Sequence, residues 1–69
     1  MTESVYKIIE LVGTSSESWE DAIKTVISKA SETLHDLRVA EVTRLDVKIE
    51  DGQVVSYRVK VKLSFKYRD

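Results

Sequence analysis

The sequence predicts an α+β domain of order β-α-β-β: a three-stranded antiparallel sheet, strand order 1-3-2, wrapped around one amphipathic helix. Three observations carry this expectation. A β-branched run at Val5–Val12 gives way to hydroxyl-rich residues and then to apolar residues spaced by threes and fours. The C-terminal third alternates apolar and polar residues from Val55 to Tyr67, as a strand with one buried face does. Between two such extended segments stands Asp51-Gly52, a strong hairpin signal. With no proline and two glycines in 69 residues, nearly every residue belongs to an element.

In the first run, VYKIIELV, Lys7 falls among Val5, Ile9 and Leu11, and Glu10 among Tyr6, Ile8 and Val12. A strand there has apolar neighbours on both faces. Gly13-Thr14-Ser15-Ser16-Glu17-Ser18 reads as turn and cap chemistry, with capping-box spacing for Ser18 with Asp21 or for Thr14 with Glu17. From Trp19 the stripe Ala22, Ile23, Val26, Ile27, Ala30, Thr33, Leu34 and Leu37 predicts a one-sided helix. Its length is about 18 residues, or ~27 Å. Lys24, Ser28, Glu32 and His35 lie opposite.

Two long strands follow, at about 38–50 and 53–68. Alternation in the second puts Val55, Tyr57, Val59, Val61, Leu63, Phe65 and Tyr67 on one face. Ser56, Arg58, Lys60, Lys62, Ser64, Lys66 and Arg68 take the other. A two-residue turn would pair Ile49 with Val54 and Val47 with Ser56, apolar against polar. A three-residue loop, Asp51-Gly52-Gln53, pairs Ile49 with Val55, Val47 with Tyr57 and Leu45 with Val59, and is the register expected from this pattern. It sets Asp46 opposite Arg58. Ala40 and Val42 have the other parity from Leu45, which predicts a bulge or sharp twist near Thr43.

Residues 1–69 make a single domain on length grounds, one that buries only about 60% of its unfolded surface. Without cysteine and with His35 as its one histidine, disulfides and structural zinc are closed as sources of stability, leaving oligomerisation. Strand length points the same way: about 15 residues span ~50 Å, against roughly 30 Å for a globule of this size. A ~27 Å helix leaves the hairpin overhanging, to be covered by further copies of the chain.

Eleven basic and 12 acidic residues give a net charge of −1, so no overall field favours nucleic acid or an anionic membrane. The basic stripe lacks interleaved stacking aromatics and reads as the solvated face of an amphipathic strand, offset by Asp46, Glu50 and carboxylates of neighbouring copies. MTESVYKIIE has no basic region followed by an apolar run, and no stretch approaches a membrane span, so the expected location is cytoplasmic. His35 lacks a nucleophile or carboxylate partner that sequence could supply, although a helix C-terminus would favour its cation. Asp46, Glu50 and Asp51 are too loosely spaced for an EF-hand, and Trp19 reads as a core or interface anchor. Without a phosphate loop, nucleophile elbow or metal-ligand cluster, the residues predict no enzyme.

The order VYKIIELVGTSSESWEDAI, LRVAEV and a final YRVKVKLSFKY resembles the dodecin family over almost the whole chain. The strand ending in Gly-Thr-Ser, the Ser-Trp helix start and the closing apolar-Ser-Phe pattern carry the resemblance. It implies a hollow homo-dodecamer that stores a small ligand, by family default a flavin such as FMN or riboflavin, without turnover. Flavin-binding dodecins place a stacking tryptophan where this chain has Val39 and a glutamine where it has Arg58. Loss of a stacking platform worth about 1–3 kcal/mol weakens flavin roughly ten- to a hundredfold. The resemblance is closer to a branch with Val and Arg at these positions, which is associated with calcium. The alternative it implies is a calcium- or anion-associated shell without flavin.

Overall fold

A computed structural model describes residues 4–67. Strand β1 spans Tyr6–Ser15, helix α1 Trp19–Ser31, β2 Leu37–Glu50 and β3 Gln53–Lys66. All neighbours are antiparallel and the order is β1-β3-β2, as expected. The central strand is the one whose alternation is unbroken: Val59, Val61 and Leu63 of β3 are buried against Ala22, Val26 and Ala30 of α1. Ile9, Leu11, Ile23, Ile27, Leu37 and Ala40 pack around this cluster. Arg68, expected at the end of the basic stripe, lies outside the described residues.

Three expectations are corrected. The first strand does not stop at Val12: Gly13, Thr14 and Ser15 continue it, paired with Val59, Arg58 and Tyr57. Gly13 serves close packing rather than a turn, since a Cβ there would lie 2.6 Å from the carbonyl oxygen of Ala22 and 2.9 Å from Cβ of Val26. Ser15 still serves the helix start, its hydroxyl donating to Asp21 at 2.7 Å and accepting the amide of Glu17. Ser18 is the N-cap, its Oγ accepting the Asp21 amide at 3.0 Å.

The helix has 13 residues rather than about 18. It ends at Ser31, and Asp36 turns the chain with φ of 61°, a conformation aspartate tolerates better than most residues. Thr33, Leu34 and Leu37 keep the apolar stripe's spacing yet leave the helix, Leu37 opening β2 opposite Phe65. His35 therefore sits beyond the helix C-terminus, exposed.

The turn is the two-residue one. Asp51 and Gly52 have φ of 52° and 74°, the pair of positive values a type I′ hairpin requires. Glu50 pairs with Gln53 and Ile49 with Val54, then Lys48 pairs with Ser56, so Val55 is an extra residue on β3. That bulge restores Val47 to Tyr57 and Leu45 to Val59. The parity conflict at the tip is thus resolved by a bulge rather than by a longer loop. A second bulge stands at Thr43, where the sequence places it: Val42 pairs with Val61 and Arg44 with Lys60, and the Thr43 hydroxyl donates to the Lys60 carbonyl at 3.1 Å.

The molecule measures 55 × 20 × 15 Å, with a radius of gyration of 14.3 Å, against about 11 Å for a compact chain of this length. A 13-residue helix is ~20 Å long, so the hairpin runs far beyond it. Trp19, at the start of α1, closes the covered part: its Nε1 donates to the Asp46 carbonyl at 3.1 Å and its ring meets Tyr57 edge-on at 5.2 Å. Beyond it Ile49, Val54 and Val55 are exposed.

Candidate functional site

The strand registers place three side-chain columns on the sheet face opposite the helix. From β1 come Tyr6, Ile8, Glu10, Val12 and Thr14; from β3 Ser56, Arg58, Lys60, Lys62, Ser64 and Lys66; from β2 Val39, Glu41, Arg44, Asp46 and Lys48. Across the strands they form rows. Thr14, Arg58 and Asp46 share one row; Val12, Lys60 and Arg44 the next; Glu10, Lys62 and Glu41 a third.

In the first row Arg58 Nε donates to Asp46 Oδ1 at 2.8 Å and Nη2 to Oδ2 at 3.4 Å. Both side chains are about half exposed, so this expected pair contributes at most about 1 kcal/mol. Its geometric effect is larger: the guanidinium edge lies along the sheet toward β2. In the third row Lys62 is flanked in register by Glu10 and Glu41, opposite charges on both sides. A depression of about 180 Å³ over the first two rows is lined by Val12, Arg44, Asp46, Arg58 and Lys60.

Val39 sits at the other end of the face. It is 61% exposed, opposite Ser64, whose hydroxyl donates to the Val39 carbonyl. A depression of about 150 Å³ beside it is lined by Ile27, Leu37, Arg38, Val39, Ala40 and Leu63. The β3 partners of Val39 and Asp46 are Ser64 and Arg58, six residues apart (64 − 58), so Val39 and Arg58 are roughly 20 Å from one another along the sheet. They share a face and do not meet within one chain.

The other sequence candidates stay apart. His35 lines a depression of about 270 Å³ with Lys7, Asp36, Phe65, Lys66 and Tyr67. Glu50 and Asp51 are at the hairpin tip, with Glu50 paired to Lys48 at 3.4 Å. Among the described residues no group of three His, Cys, Asp or Glu side chains could hold a metal, and no helix is long and apolar enough to cross a membrane. Arg44 is the residue that the reading of the alternation missed. The signal was present, because a bulge at Thr43 necessarily turns the next residue onto the basic face.

The fold and this open charged face define a small β-α-β-β sheet subunit, elongated beyond its own core. The chain belongs to the dodecin family, whose pattern matches residues 5–68. It is 40% identical over 65 residues to the calcium dodecin of Mycobacterium tuberculosis, covering 94% of this chain and 92% of that one. The dodecin structure from Streptomyces coelicolor superposes with a TM-score of 0.93 at 38% identity, covering 100% and 99% of the two chains. A structure of the M. tuberculosis calcium dodecin, described as having a novel calcium-binding site, gives a TM-score of 0.83 at 41% identity, covering 94% and 93%.

The residues present do not fit the flavin arrangement of the family resemblance. No ring stands at Val39, and Arg58 offers donors only where a glutamine offers a donor and an acceptor. Its guanidinium is moreover engaged by Asp46.

Proposed function

We propose that the chain is a non-enzymatic subunit of a hollow dodecin dodecamer, holding a small ligand at sites built between copies, with flavin binding weakened by Val39 and Arg58. The observation that supports it best is the placement of those two positions. Both are exposed on one face, yet roughly 20 Å apart, so a ligand that uses both must take one from each of two copies. The uncovered hairpin supplies the apolar surface on which copies meet.

A second reading is favoured by the similarity to a calcium dodecin: the shell carries calcium instead. Calcium takes six to eight oxygen ligands. Since the described residues of one chain hold no cluster of three candidate ligands, these too would come from more than one copy.

Titration with FMN, following flavin fluorescence, tests the first reading. Wild type is expected to quench weakly, and Val39→Trp with Arg58→Gln to tighten binding about ten- to a hundredfold. Equal flavin affinity in the two proteins would refute the assignment of these positions. Calorimetry with calcium tests the second reading, and absence of heat at millimolar calcium on the assembled protein would refute it.

A further inference from the structure

We infer that the row formed by Lys60 and Arg44 binds a small oxyanion, the phosphate group of a small molecule. The inference rests on the reading of the chain as a ligand holder and names the chemistry held. The three rows of the open face differ in their charge balance. Arg58 with Asp46 sums to zero, and Lys62 between Glu10 and Glu41 to −1. Lys60 lies between Arg44 and the apolar Val12, a sum of +2 with no acid in the row. Like charges directly opposite one another destabilise a sheet, so of these three rows this one asks for an anion from outside.

The chain goes out of its way to make that row. Without the extra residue at Thr43, threonine would face Lys60 and Arg44 would turn to the helix side. The bulge reverses this and is pinned by the Thr43 hydroxyl on the Lys60 carbonyl. It places Arg44 and Lys60 together in the lining of the 180 Å³ depression, while Asp46, the acid in that lining, is engaged by Arg58. A phosphate monoester carries about −1.5 to −2 at neutral pH and three acceptor oxygens, which matches both the charge and the donors. A carboxylate from a neighbouring copy carries one charge and leaves the row half neutralised.

The test is calorimetric titration of the full-length protein with inorganic phosphate, and separately with pyrophosphate, at low ionic strength, with light scattering on the same samples. Saturable binding is expected. Arg44→Gln and Lys60→Gln should each weaken it about tenfold or more, with Arg44→Lys retaining most of it. Lys62→Gln, already flanked by acids, and Lys24→Gln on the exposed helix face should change it by about twofold or less. Equal weakening by Lys62→Gln would show diffuse attraction rather than a site and overturn the inference, as would the absence of saturable heat. Unchanged phosphate binding in Arg44→Gln with a fall in assembly size would assign the row to a neighbouring copy's carboxylate and also overturn it. The row lies within one chain, so a monomer that binds phosphate refutes the assembly and keeps the site. An assembled protein that ignores phosphate does the reverse.

Discussion

Gly13 shows how a residue's role can differ from the one its type announces. Beside Thr14, Ser15 and Ser16 it looks like the start of a turn, yet it lies in β1, buried where α1 crosses the strand. A methyl group there has no free space: the Ala22 carbonyl belongs to the helix backbone and cannot swing aside, and the second neighbour is the β-carbon of buried Val26. Gly13→Ala is therefore expected to destabilise the fold by about 1–3 kcal/mol, the usual range for overpacking. For a chain of this length that lowers the melting temperature by roughly 4–8 °C per kcal/mol. The comparison must be made at equal protein concentration, because assembly adds to apparent stability. An unchanged melting temperature would mean that the helix sits further from β1.

At the scale of elements, the sequence was most legible where one face is buried and least where the chain changes direction. The alternation of β3 fixed its central position and the pairing of Asp46 with Arg58, because a slip of one residue would expose Val59, Val61 and Leu63. The parity flip at Thr43 announced its bulge. The end of α1 was not legible, since Leu34 and Leu37 continue the helical spacing while packing on the core from outside the helix. The turn was not legible, because two local features, a type I′ turn and a bulge at Val55, cancel each other's effect on alternation a few residues away. Val39 and Arg58 stand out as a site only through the family resemblance, whereas alternation alone shows only which face each takes. The start of α1 was legible and is testable: Ser18→Ala removes the acceptor for the Asp21 amide and is expected to cost about 1 kcal/mol, while Ser18→Asp restores it. Equal losses in both variants in a denaturant titration would show that the cap is not what stabilises this end.

The whole molecule exposes more surface than a chain of its size should. Its accessible area is 5397 Å², against about 4400 Å² expected for a folded monomer of 7.9 kDa. The difference, roughly 1000 Å², is comparable to what one partner contributes to a standard interface, about 800 Å². Part of it lies on the helix side of β2, where Leu45, beside buried Val59, and Ile49, beyond Trp19 at the start of α1, are 51% and 62% exposed. These two side chains contribute little to the core of their own subunit. Leu45→Asp with Ile49→Asp should consequently leave the β-α-β-β fold standing while removing the apolar surface proposed for contact between copies. Light scattering at micromolar concentration is expected to give an assembly of about twelve subunits for wild type, the number the family resemblance implies, and a mass near one subunit for the double variant. Circular dichroism should show the same strand and helix content in both, and the variant's melting temperature should no longer rise with protein concentration. A wild-type monomer would refute the assembly outright. A double variant that remains fully assembled would move the interface to another surface, such as the apolar groove between α1 and β1 lined by Leu11, Val26 and Leu34.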